Sequence, residues 1–369
     1  MTPVTQIGED IDMALNRRDL LSAGALGLAG STLSGCISNP SLAPPQSAST
    51  LLASIDPELR PIAKSFLDKY ESGERSRVSA ATLMEKRGDM SWLETIQPSQ
   101  SPGYDVKLIP GVANGPDVPI HIVYDDTQGP KPAIIYMHGG GYVSGHSKGL
   151  IKRFNSLVKD FGCVVIAPEY RLAPETTFEG SVNDNYSALL WTFKNADQLG
   201  IDRNRIAVMG GSAGGGHSAL LALAARDRGE VPLCFQCLIY PMLDDRTGTN
   251  YSPNLGRGGI VWSEAENNFG WTSFLGVPAG GKNVPIAGVP ARRTDLKGLP
   301  PTFIGTGSVD LFAEENIAYA KALIKAGVET ELYVSPGGFH AFDNIAANTR
   351  LGQTFNSAKR DALKRAFTT

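Results

Sequence analysis

From residue 105 onward the chain alternates between short apolar runs and longer segments whose apolar positions recur every three or four residues. The apolar runs predict strands near Val106–Ile109, Ile120–Tyr124, Ala133–Met137, Cys163–Ala167, Ile206–Met209, Cys234–Tyr240, Thr302–Gly305 and Thr330–Val334. Helical spacing predicts helices over Leu150–Phe161, Val182–Ala196, Gly215–Arg228, Ala313–Ala326 and Gln353–Phe367. Strands alternating with helices imply an α/β fold: a mostly parallel, eight-stranded sheet flanked by helices on both faces. Such sheets bind ligands outside the carboxyl ends of their strands. A polar motif directly after a strand is therefore where chemistry is expected.

Residues 51–104 read as helical. Asp56-Pro57-Glu58-Leu59-Arg60 is a helix start, followed by Ile62, Phe66, Leu67 and Tyr70 at helical spacing, and a second helix is predicted over Ala80–Arg87. Ahead of them stands a segment that targets rather than folds. Asn16-Arg17-Arg18-Asp19-Leu20-Leu21 precedes a mildly apolar run from Leu20 to Leu33, too short to span a bilayer. The paired arginines resemble a twin-arginine export signal, with Asn16 and Leu20 departing from its usual flanks. Leu33-Ser34-Gly35-Cys36 resembles a lipobox, which would make residues 1–36 a signal peptide and the lipidated Cys36 the mature N-terminus. The expectation is an exported protein, periplasmic or held at a membrane by a lipid anchor, with residues 37–50 as a flexible tether.

Composition narrows the partners. The 369 residues, 42% of them hydrophobic, suffice for a large buried core. The 34 basic and 37 acidic residues lack basic clusters, which argues against nucleic acid as a partner. Cys234 and Cys237 lie three apart on a predicted strand, so they face opposite sides about 10 Å apart, beyond disulfide reach. Both, and Cys163, read as small core residues; no metal and no cofactor are expected. A homodimer is compatible with the sequence, which does not fix the oligomeric state.

Four motifs sit at predicted strand ends. Gly210-Gly211-Ser212-Ala213-Gly214 forms a G-x-S-x-G frame between a strand and a helix, the arrangement that exposes a serine hydroxyl on a sharp turn. His138-Gly139-Gly140-Gly141 follows another strand. Its glycines let the amides of Gly139 and Gly140 join that of Ala213 as an oxyanion hole, while His138 orients the loop. The segment lacks the G-K-[ST] ending of a phosphate loop. Among the five histidines, His121 alternates with Ile120 and Ile122 and reads as solvent-side, His146 follows the glycine loop, and His217 lies within a helix as a packing residue. His340, directly after the last strand, is left as the general base for Ser212. Asp310 follows the penultimate strand and is the carboxylate that would orient His340, whereas Glu314 and Glu315 read as the acidic first turn of a helix. Serine, aspartate, histidine is the chain order of α/β-hydrolases.

With these residues assembled, the chain resembles bacterial hormone-sensitive-lipase-like esterases of the α/β-hydrolase superfamily, the fold-3 type. The resemblance covers residues 105–369 and rests on His138–Gly141, Glu169-Tyr170-Arg171-Leu172-Ala173-Pro174-Glu175, the serine elbow, Tyr240-Pro241, Asp310 and Pro336–Phe342. It departs from that pattern at Gly211, where an aspartate is common, and at Glu175-Thr176-Thr177-Phe178, where prolines and alanines are usual. The resemblance implies hydrolysis of small to medium acyl esters under a helical cap. The cap would be built from helices of residues 51–104 and an insertion over about 246–293. Trp262, Phe269, Trp271, Phe274 and Leu275 are its candidates for an acyl pocket, joined by Tyr142 and Phe339; the alternative is that the aromatics of the insertion form the core of the cap. The motifs do not separate an esterase from an amidase. A ligand-binding protein on the same fold, like plant hormone receptors that lost the histidine, is disfavoured by the presence of His340.

Overall fold

The computed structural model describes residues 48–249 and 258–368. The expected signal segment, Cys36 and the tether up to residue 47 lie outside them, as does 250–257 within the expected insertion.

All eight predicted strands form: β2 (Tyr104–Ile109), β3 (Val118–Val123), β4 (Lys131–Met137), β5 (Val164–Pro168), β6 (Ile201–Gly211), β7 (Phe235–Ile239), β8 (Thr302–Gly307) and β9 (Thr330–Ser335). A ninth strand, β1 (Ser99–Ser101), adds an exposed polar edge that no apolar pattern announces. The sheet order is β1-β2-β3-β5-β4-β6-β7-β8-β9. The run from β5 to β9 is parallel, while β1, β2 and β3 pair antiparallel and β3 meets β5 antiparallel.

Because side chains alternate along a strand, the sheet sorts its apolar residues onto two faces. Ile135, Ile166, Val208, Leu238 and Ile304 pack against α5 (Phe178–Lys194), α6 (Ala213–Arg228) and α8 (Ala313–Lys325). Their neighbours Ile134, Val165, Ala207, Ile239 and Phe303 pack against α4 (Ile151–Phe161) and α10 (Arg350–Thr368). The central parallel strands are buried along their whole length, which is why they read as continuous apolar runs.

The N-terminal helices divide differently from the implied cap. Leu51 and Ile55 at α1 (Ala48–Ser54), with Leu59 and Ala63 at the head of α2 (Arg60–Glu71), belong to the same core face as α10. The amide of Asp56 bonds the carbonyl of Gly337, fixing this segment beside the loop that carries His340. Only the following stretch reaches the separate apolar cluster over the strand ends. Leu83, on α3 (Leu83–Arg87), joins Tyr142, Trp262, Trp271, Phe274, Val289 and Phe312 there. Glu266, on α7 (Glu264–Leu275), accepts from Arg77 (3.1 Å) and from the amide of Val78 (3.0 Å), tying chain residues 77–87 to the insertion. The same glutamate completes a capping box with Ser263 at the start of α7.

His121 is not solvent-side. β3 lies inside the sheet with α4 and α5 on its two faces, so alternation along it does not mark a wet side. The ring is buried, its Nε2 2.8 Å from Glu169 Oε1 and its Nδ1 2.7 Å from Tyr104 Oη. Burial raises the Glu169 carboxyl, but the His121 bond and neighbouring charge outweigh it and hold the group below its usual value. Glu169 also accepts from the amides of Ser147 and Lys148, fixing the approach to α4.

Candidate active site

β6 delivers Ser212 to the carboxyl edge of the sheet, and α6 begins one residue later. Ser212 adopts φ 59° and ψ −127°, a strained backbone held by three bonds. Its amide donates to Ile239 O (2.9 Å), and its carbonyl accepts from Met242 (3.0 Å) and Gly216 (3.1 Å). The flanking glycines are sterically required. A Cβ at Gly210 would lie 2.3 Å from Gly214 O, and one at Gly214 would lie 2.2 Å from Met137 O. The turn therefore brings β6, α6 and the end of β4 closer than any side chain permits.

Asp310 follows β8 and His340 follows β9, two adjacent strands, and their loops are bonded together: Val309 N donates to Gly338 O (3.0 Å) and Gly337 N to Ser308 Oγ (2.8 Å). Asp310 is fully buried, accepting from Phe312 N through Oδ1 (2.9 Å) and pairing with His340 Nδ1 through Oδ2 (2.8 Å). On the far side of the ring, Nε2 lies 2.9 Å from Ser212 Oγ. A carboxylate oxygen only accepts, so Nδ1 carries the proton and Nε2 offers its lone pair to the serine hydroxyl. Tyr240 and Phe312 stand edge-on to the imidazole at 4.8 and 5.2 Å and confine it.

The glycine loop borders the serine. Gly140 has φ 132°, and a Cβ there would lie 1.9 Å from Ser144 O, so the tight turn admits no side chain. The amides of Gly139 and Gly140 have no acceptor among the described residues, and that of Ala213, at the head of α6, has no intrahelical partner. His138 is buried, stacked on Tyr170 at 4.2 Å, with Nδ1 donating to Gly139 O (2.8 Å). Burial lowers its pKa and keeps the ring neutral, a role in holding the loop.

Around Ser212 is a cleft of about 280 Å³, walled by Gly139–Gly141, Gly211, Tyr240, Val261, Trp262 and His340 and lined also by Tyr136, Arg153 and Asn344. Of the residues expected in a substrate pocket, Trp262 lines this cleft. The other expectations are corrected by packing. Tyr142 stacks on Phe274 at 3.9 Å and donates to Met242 O (2.8 Å), and both rings lie inside the cap cluster with Trp271 and Leu275, against which Phe269 packs. Phe339 is buried beneath the histidine loop in the core face shared with α10. Gly211 borders the cleft, and the space beside it is taken by Tyr240, whose Cε2 would stand 3.3 Å from an added Cβ.

Glu315 starts α8 as expected and does more. It is buried and accepts from Leu243 N (2.7 Å) and Thr247 Oγ1, so it holds the chain where it leaves β7 for the insertion. Cys163, Cys234 and Cys237 are free thiols, and among the described residues no acidic, histidine and cysteine cluster could hold a metal.

Residues 134–344 match the model of an α/β-hydrolase-fold family. The carboxylesterase NlhH of Mycobacterium tuberculosis is 30% identical over 318 residues, covering 85% of this chain and 96% of its own length. The ethyl acetate hydrolase of Pseudomonas putida is 33% identical over 59% of this chain and 68% of its own. Among solved structures, a bacterial heroin esterase superposes with a TM-score of 0.73 at 34% identity, covering 86% of this chain and 99% of that one. The chain belongs to the α/β-hydrolase-fold family, in its hormone-sensitive-lipase-like branch, and is an ester hydrolase.

Proposed function

We propose that this protein is a serine carboxylesterase acting on small to medium acyl esters, with Ser212 as nucleophile, His340 as general base and acid, and Asp310 as the group that orients His340. The observation that carries it is the unbroken chain Asp310 Oδ2, His340 Nδ1, His340 Nε2, Ser212 Oγ, with links of 2.8 and 2.9 Å, ending on a serine at a strained turn.

His340 Nε2 takes the hydroxyl proton as Ser212 Oγ attacks the ester carbonyl. The oxygen that becomes negative turns towards the amides of Gly139, Gly140 and Ala213, each such donor lowering the barrier by roughly 2.7–4 kcal/mol. The imidazolium then protonates the departing alcohol, leaving an acyl group on Ser212. A water, deprotonated by the same Nε2, releases the acid. Asp310 keeps the ring in the required tautomer and stabilises its charged form.

Ser212→Ala removes the attacking oxygen without disturbing the backbone bonds that hold the turn. Hydrolysis of 4-nitrophenyl butyrate by this variant should fall to background, and unchanged turnover would end the assignment. The arginine pair at Arg17-Arg18 and the Leu33–Cys36 motif support export with a lipid on Cys36. Cys36→Ser should then release the protein from the membrane fraction, and no change in distribution would count against the anchor.

A further inference from the structure

The cleft beside Ser212 contains a cation that the hydrolytic steps above do not use. Arg153, on α4, lines the same space as Ser212 and His340. One terminal nitrogen donates to Tyr136 Oη at 2.9 Å and the other to Asn344 Oδ1. Both partners are neutral. Among the described residues no carboxylate lies within ion-pair distance of the guanidinium, and the nearby Asp343 is already engaged by Lys359 (3.2 Å) and the hydroxyl of Tyr240 (2.7 Å). A guanidinium has five N–H groups, and these bonds use two of them.

The cation is also held in place. Tyr136 precedes the glycine loop on β4, and Asn344 lies four residues after His340. Asn344 Nδ2 donates to Tyr240 Oη at 2.8 Å, and the Tyr240 ring packs on His340. Arg153 is thus tied to the strand that leads into the glycine loop and to the short helix that follows His340, half-buried, in a cleft whose other walls include Leu150, Val261 and Trp262. A cation in such surroundings is best satisfied by an anion that the ligand itself brings, and a guanidinium is shaped to receive a carboxylate.

We propose that the preferred substrates are esters that also carry a carboxylate, and that Arg153 binds it. The proposal rests on Ser212 being the nucleophile of this cleft. The carboxylate could lie on the acyl side or the alcohol side, and two substrate pairs distinguish them: mono-4-nitrophenyl glutarate against 4-nitrophenyl butyrate, and 4-acetoxybenzoate against phenyl acetate.

The readout is the ratio of anionic to neutral kcat/KM within each pair, for the wild type, Arg153→Met and Arg153→Lys. For one pair, Arg153→Met should lower the ratio about 10- to 100-fold, the range expected for a bond to a charged group, with Arg153→Lys in between. Added salt should lower the wild-type ratio and leave that of Arg153→Met flat. Ratios unchanged by Arg153→Met in both pairs would overturn the proposal, because a merely structural arginine would depress both members alike. A binding arm keeps the question separate from the nucleophile assignment. Glutarate should raise the melting temperature of Ser212→Ala protein and not that of the Ser212→Ala, Arg153→Met double variant. A glutarate shift that is absent from the first, or equal in both, would contradict the anion site even if Ser212 proved not to be the nucleophile.

Discussion

Replacing Asp310 by asparagine changes almost no volume and tests the electrostatic half of the site. The native carboxylate receives two donors, Phe312 N on Oδ1 and His340 Nδ1 on Oδ2, in a pocket with no solvent exposure. An asparagine has one acceptor oxygen and one amide nitrogen, so it cannot serve both. If its oxygen stays with Phe312, its NH2 faces His340 Nδ1, and the imidazole must carry its proton on Nε2. That proton points at Ser212 Oγ, 2.9 Å away, and the lone pair that should receive the serine proton is gone. The flipped amide sets two donors against each other in a dry site, at a cost of about 1–3 kcal/mol. The fall in kcat should therefore approach the roughly 10⁴-fold seen for wrong-tautomer variants of such triads, close to 5.5 kcal/mol of barrier. Steady-state hydrolysis of 4-nitrophenyl butyrate reads the rate, and a thermal melt checks that the fold is intact. A loss of less than tenfold in a folded protein would refute the role given to Asp310.

Two further perturbations probe the scaffold. In Gly214→Ala the new methyl would sit 2.2 Å from Met137 O and 2.5 Å from His138 O. The clash should cost about 1–3 kcal/mol and push the glycine loop, so kcat and melting temperature should both drop; wild-type values for both would show that the elbow is looser than described. His217 is buried among Tyr142, Tyr170 and Phe274, and burial depresses its pKa from 6.5 to about 3. Between those values the unfolded chain binds the proton and the folded one does not, so stability present above pH 6.5 is lost as pH falls towards 3. The loss is on the order of 4–5 kcal/mol at about 1.4 kcal/mol per pH unit. His217→Phe should shift the acid-unfolding midpoint, followed by circular dichroism, to lower pH; an unchanged midpoint would mean that the ring is not the acid-sensitive group.

Much of the fold was legible in the sequence, and the proposed site residues gather where such a fold brings strand ends together. Ser212, Asp310, His340 and the His138 loop each follow a strand, and in a parallel sheet those ends share one edge. The G-x-S-x-G spacing was legible for a steric reason, since neither Gly210 nor Gly214 can carry a Cβ. His121 misled because alternation diagnoses a wet face only when one side of the strand is uncovered, and β3 is covered on both. The aromatic residues of the insertion left two readings open, pocket lining or cap core, and packing decides between them. Tyr142, Phe274 and Phe339 have the composition of a pocket lining, but hydrophobicity does not distinguish a ring that faces a cavity from one that fills a core. Arg153 left no mark, because an arginine on an amphipathic helix ordinarily faces solvent. Its place is set by Tyr136 and Asn344, which are 17 and 191 residues away in sequence. Gly211 has a partial account in the Tyr240 ring, which occupies the space beside it.

The central claim is that Ser212 Oγ is activated by His340. Labelling the full chain with a fluorophosphonate and locating the adduct by peptide mass spectrometry tests it most directly. The expected result is a single stoichiometric adduct on the peptide containing Ser212, slowed by at least a hundredfold in His340→Ala protein. An adduct on another serine, or labelling of Ser212 at the same rate without His340, would contradict the account.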